Sequence, residues 1–181
     1  MLLIRIIKMI YNPEEDSFLL LKHVKEYAKG RILDIGTGSG ILAEEALKYT
    51  KNVLAVDVDE EAIELCKSKG INAVRSDLFS NVKGKFDLII FNPPYLQEDN
   101  SEDNETRLAV SGGKKGYELI ESFLKEVKNY LNDNGKILLL FSSLTNKNKV
   151  DKIIKENELK FRLVESERLF FEVLYIYLIL K

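Results

Sequence analysis

The stretch Phe86-Asp-Leu-Ile-Ile-Phe-Asn-Pro-Pro-Tyr95 places chemistry directly after an apolar run. The run from Leu88 to Phe91 is short, continuous and bounded by prolines, which predicts a buried strand. Pro93 and Pro94 have no N–H to donate, so the sheet ladder stops there. Asn92 offers a side-chain carbonyl and Pro93 a main-chain carbonyl of fixed direction. Two adjacent acceptors can hold both hydrogens of an –NH2 group and so aim its nitrogen lone pair. Tyr95 can lay its ring against a flat amide or base. The strip therefore predicts a clamp for a planar amino or amide group. A tight turn with no ligand is the plainer reading, and short motifs of this kind have many false positives.

A second chemical stretch is Arg31-Ile-Leu-Asp-Ile-Gly-Thr-Gly-Ser-Gly-Ile41. A short strand runs into Gly36, Gly38 and Gly40, with a helix expected from about Ser39. Glycines let the backbone turn sharply and let a ligand lie close to it. Ile41 stands where the nicotinamide fingerprint needs its third glycine or alanine, which argues against a dinucleotide. Asp34 precedes the glycines; its carboxylate would repel a pyrophosphate and attract a cationic amino group. Asp57 ends the next apolar run, where it could accept from both hydroxyls of a ribose. Asp77 ends a third run over 71–79, where it could accept from an adenine amino group while the Leu78 N–H donates to the ring. Each acid alone is more often a helix cap; together with the glycine turn they form a constellation that capping does not explain.

The elements that must carry these residues follow from periodicity. Pro13 and the acids after it predict a helix start, with Phe18, Leu19, Leu21 and Val24 inward and an end near Gly30. Helices are expected at 60–69, 117–131 (closed by Asn134-Gly135) and 147–157. Strands are expected at 136–142 and, as a pair, across 160–181. Residues 96–106 are polar, acidic and aperiodic, which predicts a loop beside the site. Ser111-Gly-Gly-Lys-Lys-Gly116 reads as a turn. Cys66 is expected to be a buried small hydrophobe. His23, the only histidine, has no partner suggested by its surroundings.

Composition bounds the rest. The 181 residues, 45% hydrophobic, suit a single domain, with 1–30 as an arm and helix and 31–181 as the core. A net charge of -2 gives no reason to expect a general nucleic-acid surface. One cysteine excludes an internal disulfide and a thiolate metal cluster, so no metal site is expected. The apolar start at 1–10 is interrupted by Arg5 and Lys8 and is too short to span a bilayer, so a cytoplasmic protein is expected.

Asp34-x-Gly36-x-Gly38-x-Gly40, Asp57, Asp77 and Asn92-Pro93-Pro94-Tyr95, in that order on alternating strands and helices, resemble a class I S-adenosylmethionine-dependent methyltransferase. With Tyr11-x-Pro13-x-Glu15-Asp16-Ser17 and Gly112-Gly113-x-x-Gly116 added, the chain resembles the HemK (PrmC) branch. Within that branch it is most similar to the small archaeal and eukaryotic release factor methyltransferases. The resemblance covers nearly the whole chain. It implies an α/β Rossmann-like fold, a seven-stranded and mostly parallel sheet whose last strand is antiparallel. It implies methylation of the glutamine side-chain amide in the Gly-Gly-Gln tip of a class I release factor, with S-adenosylhomocysteine as product. By the same resemblance, Ser17, Asp34, Gly36, Gly38, Gly40, Asp57, Val58, Asp77, Leu78 and Asn92 would contact the cofactor. Asn92, Pro93, Pro94 and Tyr95 would hold the glutamine. Ser17 stands where threonine is common, which keeps the hydroxyl. Bacterial members carry an N-terminal helical domain for which this chain has no room. Eukaryotic relatives need a small zinc-binding activator subunit. The same clamp would also serve exocyclic amino groups of DNA or RNA; the acidic stretch after Tyr95 and the net charge argue against that. A protein lysine fits less well, having no planar face.

Overall fold

The computed structural model describes residues 15–95 and 113–181. The arm at 1–10, Tyr11, Pro13, the acidic stretch 96–106, Ser111 and Gly112 lie outside the described residues. Helix α1 (Glu15–Tyr27) leads into β1 (Ile32–Ile35), α2 (Ile41–Leu47), β2 (Val53–Asp57), α3 (Glu60–Ser68), β3 (Ala73–Arg75) and β4 (Phe86–Phe91). Then follow α4 (Glu118–Glu126), a 3-10 turn (Val127–Tyr130), β5 (Leu131–Ser142), a second 3-10 turn (Ser143–Thr145), α5 (Lys147–Glu156), β6 (Lys160–Arg168) and β7 (Val173–Leu180).

The strands form one seven-stranded sheet in the order β3-β2-β1-β4-β5-β7-β6. Pairings from β3 through β5 are parallel, and β7 runs antiparallel to both β5 and β6. The expected architecture, with its last strand antiparallel, is therefore present. From β1 the chain winds outward to β2 and β3, then returns past β1 to β4 and β5. That reversal leaves a crevice at the carboxyl ends of β1 and β4, where open α/β sheets bind ligands.

Alternation of side chains across the strands builds a core on each face. Leu33, Ile35, Ile89, Phe91, Leu139 and Phe141 meet Ile120, Phe123 and Leu124 of α4 and Val150, Ile153 and Ile154 of α5. Ile32, Leu88, Ile90, Leu138 and Leu140 meet Leu19, Leu20 and Val24 of α1, with Leu42 and Ile63 of α2 and α3. Helix α5 is pinned to β7 by the Tyr177 hydroxyl, which donates to Asp151 Oδ1 at 2.6 Å. No helix among the described residues is long and apolar enough to cross a membrane.

Several sequence expectations shift. Phe18 points outward, because the buried stripe of α1 is Asp16, Ser17, Leu19, Leu20 and Val24. Helix α2 starts at Ile41, not Ser39. The third strand shrinks to Ala73–Arg75. The helix expected over 117–131 ends at Glu126 and tightens into the 3-10 turn. Asn134-Gly135 closes no helix; it lies inside β5, beside a register shift between Phe86 and Leu88 of β4. His23 does have a partner, the Glu165 carboxylate of β6 at 2.6 Å from its Nε2. Cys66 is buried as expected.

Candidate active site

Register puts the two chemical stretches side by side. Ile35 pairs with both Val56 and Phe91, so Gly36, Asp57 and Asn92 leave the sheet on three neighbouring strands at one level. Neighbouring strands lie about 4.8 Å apart. Asn92 continues the alternation of Leu88 and Ile90, and those residues face α1. Its side chain accordingly meets the first turn of α1. Asn92 Nδ2 donates to Asp16 Oδ2 at 3.1 Å and reaches Ser17 Oγ at 3.4 Å. Asp16 and Ser17 are themselves buried. A carboxylate can only accept, so Asp16 fixes which end of the amide faces it. The other end, Asn92 Oδ1, is buried and has no hydrogen-bond partner. An acceptor left in that state costs about 1–3 kcal/mol, and a donor arriving there recovers it. Pro93 beside it is buried, while Pro94 and Tyr95 are partly exposed. The Tyr95 carbonyl accepts from Thr145 Oγ1 at 3.4 Å, which ties the strip to the end of β5.

Asp34 lies fully buried on the same face as Asn92. Thr37 Oγ1 donates to its Oδ2 at 2.6 Å, whereas Oδ1 has no partner. Burial pushes its carboxyl up to about 7, with the nearby Asp57 charge adding to the rise and the Thr37 hydrogen bond opposing it. Gly36, Gly38 and Gly40 all adopt positive φ, at 66°, 51° and 81°. A Cβ on Gly36 would have only Phe91 Cε2 near it, at 3.9 Å, so backbone conformation rather than space requires that glycine. Asp57 braces the loop: its Oδ2 accepts from Gly38 N and its Oδ1 from Asp59 N, both at 2.9 Å. Each oxygen keeps a second lone pair for a further donor. Asp59 is the N-cap of α3, and Val58 between the two acids is exposed.

After β3 the chain turns at Ser76, whose hydroxyl donates to the Leu78 carbonyl at 2.9 Å and accepts from Asn81 N at 3.0 Å. That turn exposes Asp77 and forces Leu78 to a φ of 44°, a conformation that non-glycine residues rarely hold. The site residues expected from sequence and described in the structure thus lie at the carboxyl ends of β1, β2 and β4 and in the turns after β1, β2, β3 and β4, with Ser17 in the first turn of α1. Asp16 and Ser76 were given no role from sequence. The alternation 88, 90, 92 toward α1 was the signal available for Asp16; no local signal marks Ser76.

Comparison with known proteins decides the family. The sequence matches the methyltransferase small domain family across residues 12–173. The chain belongs to that family. It is 40% identical over 169 residues to a candidate protein N5-glutamine methyltransferase of Methanocaldococcus jannaschii, covering 88% of this chain and 85% of the relative. It is 34% identical over 123 residues to the release factor glutamine methyltransferase of Streptococcus pneumoniae, covering 60% of this chain and 44% of that protein. The solved Mtq2–Trm112 complex of E. cuniculi, responsible for methylation of the eRF1 translation termination factor, superposes with a TM-score of 0.78 at 26% identity, covering 94% of this chain and 98% of the matched one.

This small-domain methyltransferase uses S-adenosylmethionine. The site suits that group. The unpartnered Asp34 Oδ1 fits a cationic amino group, the positive-φ glycines admit a ligand against the backbone, and the open Asp57 lone pairs fit ribose hydroxyls. A pyrophosphate on the glycine loop would meet the Asp34 carboxylate instead, which disfavours a dinucleotide.

Proposed function

We propose that this chain methylates the side-chain amide nitrogen of the glutamine in the Gly-Gly-Gln motif of a class I release factor. The observation that carries this reading is Asn92 Oδ1, a buried acceptor without a partner whose direction is set by Asp16. Such an oxygen beside the Pro93 carbonyl suits an –NH2 donor with two hydrogens. The activities named for the relatives above support the same target.

When bound, S-adenosylmethionine supplies an electrophilic sulfonium methyl and departs as S-adenosylhomocysteine. Asp34 would hold its amino group, the loop Gly36–Gly40 its backbone-facing side, Asp57 its ribose, and Val58, Asp77 and Leu78 its adenine, with Ser17 close to Asn92. The amide nitrogen is a weak nucleophile because its lone pair is delocalised into the carbonyl. Asn92 Oδ1 and the Pro93 carbonyl accept its two N–H bonds and turn the lone pair toward the methyl carbon. Held there, the group would supply its methyl to that nitrogen, and its sulfur would take the electron pair of the bond given up. The same two acceptors stabilise the positive charge growing on nitrogen, and one of its protons then passes to solvent. Tyr95 flanks the amide plane. Positioning of this kind supplies roughly 7–11 kcal/mol of a barrier, and no general base is needed before attack. By analogy with the two-chain Mtq2–Trm112 relative, we also assign this chain a small activator subunit as partner.

The test is transfer of labelled methyl to release factor carrying either its native tip or a Gly-Gly-Ala tip, with and without a candidate activator. Label on the native tip alone is expected. Asn92→Ala should lower kcat by about a hundredfold or more while the circular dichroism spectrum stays native. Wild-type turnover in that variant would remove the clamp from the mechanism.

A further inference from the structure

The hairpin joining β6 to β7 turns through Leu169-Phe170-Phe171-Glu172. Hairpin tips are ordinarily built from glycine, asparagine and aspartate, which accept the turn dihedrals and face water readily. This one has none of them. Phe170 and Phe171 are 91% and 86% exposed, with their rings set edge to face 4.6 Å apart. The base beneath them is fixed. Leu169 packs against the core on the α1 face and its N–H donates to the Glu172 carbonyl. The Val173 N–H donates to Ser143 Oγ at 3.0 Å. Isolated exposed apolar side chains are common on protein surfaces. Two adjacent phenylalanines held out from an anchored turn forfeit the burial that such side chains ordinarily gain.

Register locates the knob. Leu139 pairs with Phe91, so Leu140 lies level with Asn92, and Ser142 lies beyond it toward the carboxyl edge. Ser142 pairs with Leu174, and Arg168 pairs with Val173. The phenylalanines therefore project from the same edge as the clamp, two to three strands away, or roughly 10–15 Å. The turn Ser143–Thr145 fills the interval: Thr145 bonds the Tyr95 carbonyl, Leu144 is 44% exposed, and Ser143 bonds the hairpin.

We infer that Phe170 and Phe171 are a docking knob for the body of the release factor, holding it while its glutamine loop reaches the clamp. This rests on the release-factor reading above. A protein whose glutamine occupies the clamp must cover the surface around it. A typical protein interface buries about 800 Å2 per side, a patch roughly 16 Å in radius, and that patch reaches the knob. Aromatic side chains are enriched in such interfaces and often dominate their affinity. A nucleic acid would need cations beside the rings, yet Arg168 is surrounded in sequence by Glu165, Glu167 and Glu172. The occupant that fits is an apolar hollow on a protein.

The experiment compares wild type with Phe170→Ser/Phe171→Ser on full-length release factor and on a short synthetic peptide spanning Gly-Gly-Gln. The KM for the whole protein should rise about tenfold or more, with kcat, turnover of the peptide, cofactor affinity and thermal midpoint unchanged. Phe170→Leu/Phe171→Leu should recover most of the loss. If wild type does not turn over the peptide, the split between KM and kcat on the whole protein decides alone. An unchanged KM, an equal loss on peptide and protein, or a fall in kcat alone overturns the knob and leaves the release-factor reading standing. Wild-type dimers that the serine variant dissolves would assign the knob to a second copy of this chain and overturn it likewise. Absence of label on release factor from wild type fells the release-factor reading, and the docking role with it.

Discussion

Asp34 sits among apolar side chains, and burial holds its carboxyl near 7. A carboxyl whose folded value lies above its unfolded value binds its proton more tightly in the fold. The free chain should therefore lose stability as pH rises from about 4 to 7 and level off beyond. Cofactor binding runs the other way. A cationic amino group at Asp34 needs the carboxylate, so binding below pH 7 must expel a proton. Affinity for S-adenosylmethionine is expected to rise between pH 5.5 and 7, by at most about tenfold per unit, then flatten. Titration calorimetry in buffers of different ionisation heat would show that proton release. Asp34→Asn should bind more weakly and lose the slope; a flat profile in wild type would refute this role. The strand-end positions of Asp34 and Asn92 were legible in sequence because their signals are local: an acid before a glycine turn, an amide before two prolines. The Asp16 contact that orients Asn92 spans 76 residues, and the His23–Glu165 contact spans 142. Only the fold brings such pairs together, so no local pattern announced them.

Packing between elements constrains the last glycine of the loop. Gly40, the N-cap of α2, has φ of 81°, and a Cβ there would lie 2.9 Å from Cys66 Sγ of α3 and 3.0 Å from Ile71 Cδ1. Gly70 has a similar φ of 77° with nothing within 4 Å. Gly70→Ala should thus cost only the left-handed backbone strain, about 1–2 kcal/mol. Gly40→Ala adds overpacking, typically about 1–3 kcal/mol more, since buried Cys66 cannot swing away freely. Thermal or urea unfolding of the two variants would measure the difference, and equal losses would show that the loop packs loosely against α3. Strands β1, β2 and β4 were readable as apolar runs. The start of β5 was not, because Leu131-Asn-Asp-Asn-Gly135 has the composition of a turn. It extends the strand through one pairing, Leu131 with Phe86, and a Cβ on Gly135 would fall 2.9 Å from the Phe86 carbonyl. That glycine answers a tertiary approach, whereas glycines in sequence ordinarily signal the end of an element. Phe18 misled through phase: periodicity showed that α1 has an apolar face, but the sheet selected which stripe it buries.

At the scale of the whole molecule, the crevice follows from the order in which the acid-ended strands occur, and that order was visible in the sequence. The phenylalanine knob was not, because exposure at a hairpin tip depends on where the hairpin ends. The remaining question at this scale is which macromolecule reaches the clamp, since a base amino group offers the same two hydrogens as a glutamine amide. Long-range charge decides between them. Binding to a duplex gains most of its affinity from lysines and arginines that displace counterions. With 27 basic residues against 29 acidic ones, this chain has no such surplus. The stretch that follows Tyr95, Leu-Gln-Glu-Asp-Asn-Ser-Glu-Asp-Asn-Glu105, carries five acids and no base beside the clamp in sequence. Duplex DNA or RNA offered at about 50 mM salt should therefore take up no label, and excess nucleic acid should leave transfer to release factor unchanged. Labelling of nucleic acid that falls steeply as salt is raised would reverse this conclusion. It would mean that local cations around the crevice outweigh the net charge, and that the clamp selects bases.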